Sequence, residues 1–164
     1  MKKLDFLYFV GIDISKQTFD VAIVNGETTK SFLFDNTHKG ARAFLRLLKN
    51  QRMALNETLI CMEHTGIYGN LLITKLLETE ANFCVEMSLR ITRSLGIQRG
   101  KNDKIDAIRI AQYAIKNCNE MEMYRPIPEI LEKIKVLIKT REQLVHFKAD
   151  LNKYPNEAKR FAPE

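Results

Sequence analysis

The sequence predicts an α/β fold: a mixed five-stranded sheet flanked by helices, followed by one long C-terminal helix. Three patterns predict it. Five short apolar runs, rich in β-branched and aromatic residues, are each bounded by turn residues. The first three of these runs are separated by gaps too short for a crossover, whereas the later ones are separated by amphipathic stretches of helical length. From Glu129 onward, apolar residues recur at close to 3.5-residue spacing.

The first run, Phe6-Leu7-Tyr8-Phe9-Val10-Gly11-Ile12-Asp13, closes on the polar residues Ser15 and Lys16 and is followed by a second strand over Thr18 to Val24. A third strand is expected over Thr29 to Phe34. Asn36-Thr37-His38-Lys39-Gly40 then reads as a turn leading into a helix from about Ala41 to Asn50, with Phe44, Leu45, Leu47 and Leu48 on its buried face. The fourth strand ends Thr58-Leu59-Ile60-Cys61-Met62-Glu63. A helix from Tyr68 to Glu80, with Leu71, Leu72, Leu76 and Leu77 inward, separates it from a fifth strand over Asn82 to Met87. The next helix begins near Asp103, with Asn102 or Asp103 as its N-cap, and runs to about Asn117. Three antiparallel strands continued by parallel crossovers describe a ribonuclease-H-like sheet. Pro126 and Pro128 punctuate the chain, giving an expected division into residues 1–124, the sheet domain, and 125–164, a helical extension. The extension's apolar stripe of Ile130, Ile134, Leu137, Leu144 and Leu151 is interrupted by Arg141 and Lys148, and Pro155 is expected to end it. It fits either a last helix packed on its own domain or half of a coiled coil with another segment or subunit.

Bulk properties narrow the class. A 164-residue chain that is 45% hydrophobic can bury a real core. Its 26 basic and 20 acidic side chains give +6, of which residues 1–82 carry +1 (10 against 9) and residues 83–164 carry +5 (16 against 11). A basic C-terminal half suits a polyanionic partner. Cys61, Cys84 and Cys118 are odd in number and form no Cys-x-x-Cys pair, so free thiols in a cytoplasmic protein are expected. Asp5 and Asp13 interrupt the opening apolar stretch, which excludes a signal sequence or membrane span there.

Four acids stand out by position. Asp13 and Glu63 sit where apolar strands end, the edge at which open α/β sheets place ligands and where an unpartnered buried acid is costly. Asp103 and Asp106, three apart, share one face of a helix's first turn, though a helix cap and a dipole partner would account for them individually. Together they have the chemistry of a Mg²⁺ or Mn²⁺ cage, since carboxylates are hard oxygen ligands and two such ions about 3.5–4 Å apart promote phosphodiester cleavage. Arg90, Arg93, Arg99, Lys101, Lys104 and Arg109 surround the last pair, and Lys16 follows the first acid, so these cations are candidates for gripping phosphates. A solvated, charge-mixed surface is the plainer reading of the same cluster. His64, beside Glu63, is a candidate accessory for metal or proton transfer.

With these residues in view, the chain resembles the N-terminal domain of the DEDD transposases of the insertion-sequence 110 family, relatives of the pilin-gene invertases and of RuvC resolvases. The resemblance rests on Gly11-Ile12-Asp13-Ile14-Ser15-Lys16 with Asp20-Val21-Ala22, on Met62-Glu63-His64-Thr65-Gly66-Ile67-Tyr68, and on Lys101-Asn102-Asp103-Lys104-Ile105-Asp106-Ala107. It covers about residues 8–120, with a weaker likeness over Leu131 to Leu151. It implies a RuvC-like domain in which Asp13, Glu63, Asp103 and Asp106 hold two Mg²⁺ (or Mn²⁺) ions during DNA cleavage and strand transfer. It further implies DNA as partner, an element-encoded guide RNA in some members, a dimer or higher assembly, and a cytoplasmic setting on bacterial or archaeal DNA. Family members also carry a C-terminal domain with a serine that attacks DNA. This chain stops before such a domain, so the expectation is a partial enzyme.

Two other readings compete with a nuclease domain. One is a nucleic-acid-binding module whose partial active site is completed by another domain or subunit. The other is an ATPase or sugar-kinase lobe, which also opens with a Gly-x-Asp hairpin but needs a second lobe and glycine-rich phosphate loops that this sequence lacks.

Overall fold

The computed structural model describes residues 6–96, 103–126 and 128–161. The chain divides into two compact units, Met1–Tyr124 and Arg125–Glu164.

In the first unit, β1 (Tyr8–Ile14), β2 (Thr18–Asn25) and β3 (Thr28–Asp35) form an antiparallel meander, and β4 (Thr58–Glu63) and β5 (Asn82–Glu86) extend it in parallel on the other side of β1. The resulting order is β3-β2-β1-β4-β5. The parallel pairs require crossovers, which α1 (His38–Asn50) and α2 (Asn70–Leu77) supply. Val10, Ile12 and Ile14 on β1, with Phe19, Val21 and Ile23 on β2 and Ile60 and Met62 on β4, point to one face. There they bury Phe44 and Leu48 of α1 and Leu72 and Leu76 of α2. Phe19, Phe34 and Phe44 form an aromatic cluster on this side, with Phe19 and Phe34 stacked at 5.3 Å between centroids. The opposite face, with Leu59, Cys61 and Cys84, is covered by α3 (Ser88–Leu95) and α4 (Asp103–Asn117) through Ile91, Ile110, Tyr113 and Ala114. After α4 the chain returns to β5: the Tyr124 N–H donates to the Phe83 carbonyl at 2.7 Å and the two rings stack.

The strands lie close to their sequence-based positions, but the helices differ at their ends. α1 starts three residues earlier than expected, because the Thr37 hydroxyl accepts from the Gly40 N–H and caps the helix. α2 is shorter than expected: Gly66–Gly69 forms a 3₁₀ turn first, the α-helix ends at Leu77, and the Leu77 side chain is exposed rather than inward. α3 was not expected at all, since at eight residues it is too short for its apolar pattern to stand out. In the second unit, α5 (Glu129–Phe161) runs on through Pro155 instead of ending there. Proline forfeits one helical hydrogen bond, and on an exposed helix water can satisfy the carbonyl left over. The apolar side chains of α5 from Ile130 to Leu151 are exposed.

Candidate metal and nucleic-acid site

The site begins with a main-chain contact. A Cβ on Gly11 would collide with the Ala107 carbonyl and the Ala111 N–H, so the missing side chain lets α4 press directly on β1. α4 packs over β1, β2 and β4, and its Tyr113 end lies against Cys61, Cys84 and Glu86 of β4 and β5. Its N-terminal half, which opens with Asp103 and carries Asp106 one residue before Ala107, therefore lies on the β1–β2 side.

Beneath the helix the sheet carries a row of acids. Asp13 on β1 is in register with Asp20 on β2, and Glu63 on β4 is in register with Glu86 on β5. Glu63 directly follows Met62, the partner of Ile12, so Asp13 and Glu63 stand at one level on neighbouring parallel strands. By strand alternation all four occupy the face that Gly11 presents to α4. Asp13 and Glu63 are half-buried, whereas Asp20 and Glu86 are only 8% and 6% exposed.

The sequence-based candidates are distributed as follows. Asp13 and Glu63 end neighbouring strands, and Asp106 lies on the first turns of the helix above them. The Asp106 carboxylate is engaged by Arg109, whose Nη1 lies 2.8 Å from Oδ1. Asp103 opens the helix, while its side chain and that of Lys104 lie outside the described residues, as do Arg99 and Lys101 entirely. Lys16 is exposed in the β1–β2 turn, where the Ser15 hydroxyl bonds to Thr18. Arg90 and Arg93 are exposed on α3. His64 is exposed, and its main-chain N–H donates to the Glu86 carbonyl at 2.8 Å, tying the segment after Glu63 to the end of β5.

Among the described residues, no three His, Cys, Asp or Glu side chains are grouped closely enough to hold a metal ion. The donor chemistry nonetheless suits one: Asp13 and Glu63 supply hard oxygen atoms on adjacent strands, under the helix that carries Asp106.

Sequence reasoning missed Asp20 and Glu86, although both had a signal. Asp20 falls opposite Asp13 when the hairpin is counted back from its Ser15–Thr18 turn. Glu86 closes Phe83-Cys84-Val85-Glu86, which repeats the apolar-Cys-apolar-Glu pattern of Ile60-Cys61-Met62-Glu63, and the two segments pair residue for residue. Glu86 meets Arg90 at 3.3 Å. The buried Tyr113 hydroxyl beside it is pushed above the usual tyrosine range, first by desolvation and then by the Glu86 charge. Cys61 is likewise pushed upward, by its hydrogen bond to Cys84 and by burial, so this thiol stays protonated and inert.

Known proteins share this fold. RuvC of T. thermophilus in complex with a Holliday junction substrate superposes with a TM-score of 0.54 at 9% identity, covering 72% of this chain and 99% of RuvC. A second Thermus thermophilus RuvC structure gives 0.50 at 10% identity, over 71% and 99% of the two chains. At such identities the likeness establishes a RuvC-like, ribonuclease-H-like fold. In sequence, the pilin gene-inverting proteins of Moraxella lacunata and Moraxella bovis are each 29% identical over 148 residues, which is 88% of this chain and 44% of each relative. The chain thus spans less than half the length of these relatives. Residues 10–154 match the family model described as Transposase, of the DEDD insertion-sequence 110 type. A match over most of the sequence settles the family: the chain belongs to the DEDD transposases of the insertion-sequence 110 type.

Proposed function

We propose that this chain is the nuclease-type catalytic domain of a transposase or site-specific recombinase that cuts and transfers DNA strands. Residues 1–124 form the catalytic unit, and residues 125–164 lead toward a further domain and a second subunit. The observation that carries this reading is the placement of Asp13 and Glu63 on neighbouring parallel strands beneath a helix that opens with Asp103 and Asp106. These four carboxylates would hold Mg²⁺ or Mn²⁺, two ions when DNA is present. When bound, such ions activate the attacking oxygen and neutralise charge on the phosphate. The protein's part is to fix the carboxylates on rigid elements and hold flanking phosphates. Lys16, Arg90 and Arg93, with Arg99, Lys101 and Lys104, supply the phosphate contacts. Arg109 holds Asp106 and must release or share it for that acid to take up a cation. In this reading DNA is the substrate, an element-encoded guide RNA a further partner, and the cytoplasm the setting. No helix among the described residues is long and apolar enough to cross a membrane.

The test combines metal binding with cleavage. Millimolar Mn²⁺ is expected to raise the melting temperature and to support nicking of branched DNA, because a cation that binds only the folded state stabilises it. Asp13→Asn is expected to lose both responses while still binding DNA. A wild-type protein whose melting temperature ignores Mn²⁺ and which never nicks branched DNA would sink the reading.

The Asp106–Arg109 pair favours a second reading: a binding module whose active site is completed by another domain or subunit. Tight DNA binding without cleavage, even in Mn²⁺, followed by cleavage once the longer protein is supplied, identifies that case.

A further inference from the structure

Glu86 is a carboxylate that the four-acid reading leaves without a task. It is 94% buried at the C-terminal end of β5, in register with Glu63, where an unpaired charge would be costly. Its partner is Arg90, one helical turn along in α3, whose Nη1 lies 3.3 Å from Oε2 and 3.5 Å from Oε1. The Arg90 side chain is 72% exposed, so the pair adds little to stability. It does constrain where the guanidinium sits. Both contacts use the single nitrogen Nη1, and a guanidinium has five N–H donors, so donors remain for a second acceptor. Glu86 is itself tied in place through its main chain, whose carbonyl accepts from the His64 N–H, and it lines a cavity of about 180 Å³ with Arg90, Ser94, Tyr113, Asn117, Glu120 and Met121. Anchoring a flexible cation in advance removes the entropy cost of ordering it when an anion arrives.

We propose that Glu86 is a positioning residue that presets Arg90 as a phosphate clamp one strand away from Glu63, gripping the backbone phosphate beside the one that is cut. This rests on the nuclease reading above and adds a residue to it. The clamp acts on DNA backbone and not on bases, since a guanidinium fork matches phosphate oxygens irrespective of sequence.

The experiment is a double-mutant cycle on the full chain, with affinity for fluorescent branched DNA measured across a salt series without divalent cations. Arg90→Gln is expected to weaken binding and to make the slope of log K against log salt shallower by about 0.9, the signature of one lost phosphate contact. Glu86→Gln, of the same shape, is expected to weaken binding several-fold in the wild-type background and to have no further effect beside Arg90→Gln. Equal effects of Glu86→Gln in both backgrounds, or no effect in either, would overturn the proposal while leaving the nuclease reading intact. Absence of salt-dependent DNA binding by the wild type would overturn both. Should Glu86→Gln lower the melting temperature, Arg90→Lys carries the test from its exposed position. It keeps the charge but loses the fork, so affinity should fall while the salt slope holds, and undiminished affinity would count against the clamp.

Discussion

At the scale of single residues, the site is a problem of charge. Asp20, Asp13, Glu63 and Glu86 line up across four strands, and like charges that close stay folded only with partners. Among the described residues, Arg90 meets Glu86 in this row, and Arg109 meets Asp106 on the helix above it. Tyr113 shows the cost of the same environment for a neutral group. Burial and the nearby Glu86 raise its pKa above the unfolded value near 10. The folded state therefore keeps a proton that the unfolded chain releases, and this contribution to stability is complete below about pH 10 and is lost as pH rises through the folded pKa. Melting curves of the wild type should show a decline in stability above about pH 10 that is flatter in Tyr113→Phe. An identical decline in the variant would assign the effect to other groups.

At the scale of elements, the strands were legible because β-branched and aromatic runs bounded by turns have few other uses, and the gap lengths separate hairpins from crossovers. The acids at strand ends were legible for the same reason: Asp13 and Glu63 break apolar patterns where burial should continue. Asp20 and Glu86 were harder to read, since each looks locally like an ordinary polar residue, Asp20 within β2 and Glu86 at the end of β5. Only register, a property of two strands at once, brings them into the row. α3 escaped for a related reason. Of its eight residues only Ile91 is buried, and so short and exposed a segment reads as part of the connection between β5 and α4. α4 depends on Gly11, and Gly11→Ala should cost about 3 kcal/mol or more, because the added methyl meets main chain that cannot rotate away. Chemical denaturation measures it. A loss below about 1 kcal/mol would mean that helix and sheet separate easily.

At the scale of the whole molecule, the second unit raises the question of assembly. On α5, Ile130, Ile134, Leu137, Leu144 and Leu151 fall at alternating three- and four-residue spacings, with Arg141 and Lys148 in the same series, and all five apolar side chains are exposed. A stripe with that period is suited to a coiled coil, and the two cations within it lower stability while limiting which registers and partners are tolerated. Association of two copies through α5 is the expected outcome. Sedimentation should show a concentration-dependent dimer that Leu137→Asp with Leu144→Asp abolishes without altering the melting of the first unit. A wild type that sediments as a monomer at high concentration would rule it out. The period of this helix was legible, and its length was not, because Pro155 lacks an N–H, crowds the preceding turn and so reads as a stop.

The contact between Gly11 and α4 also bears on how the site could change over time. The separation between Asp13 and the helix that opens with Asp103 is set by two main chains touching, not by any side chain between them. Residues elsewhere on the sheet and helix can therefore be exchanged without altering the span across which the acids face each other. A single methyl at position 11 would widen that span at once. That substitution would change the spacing of the acids while leaving the charge and every carboxylate in place.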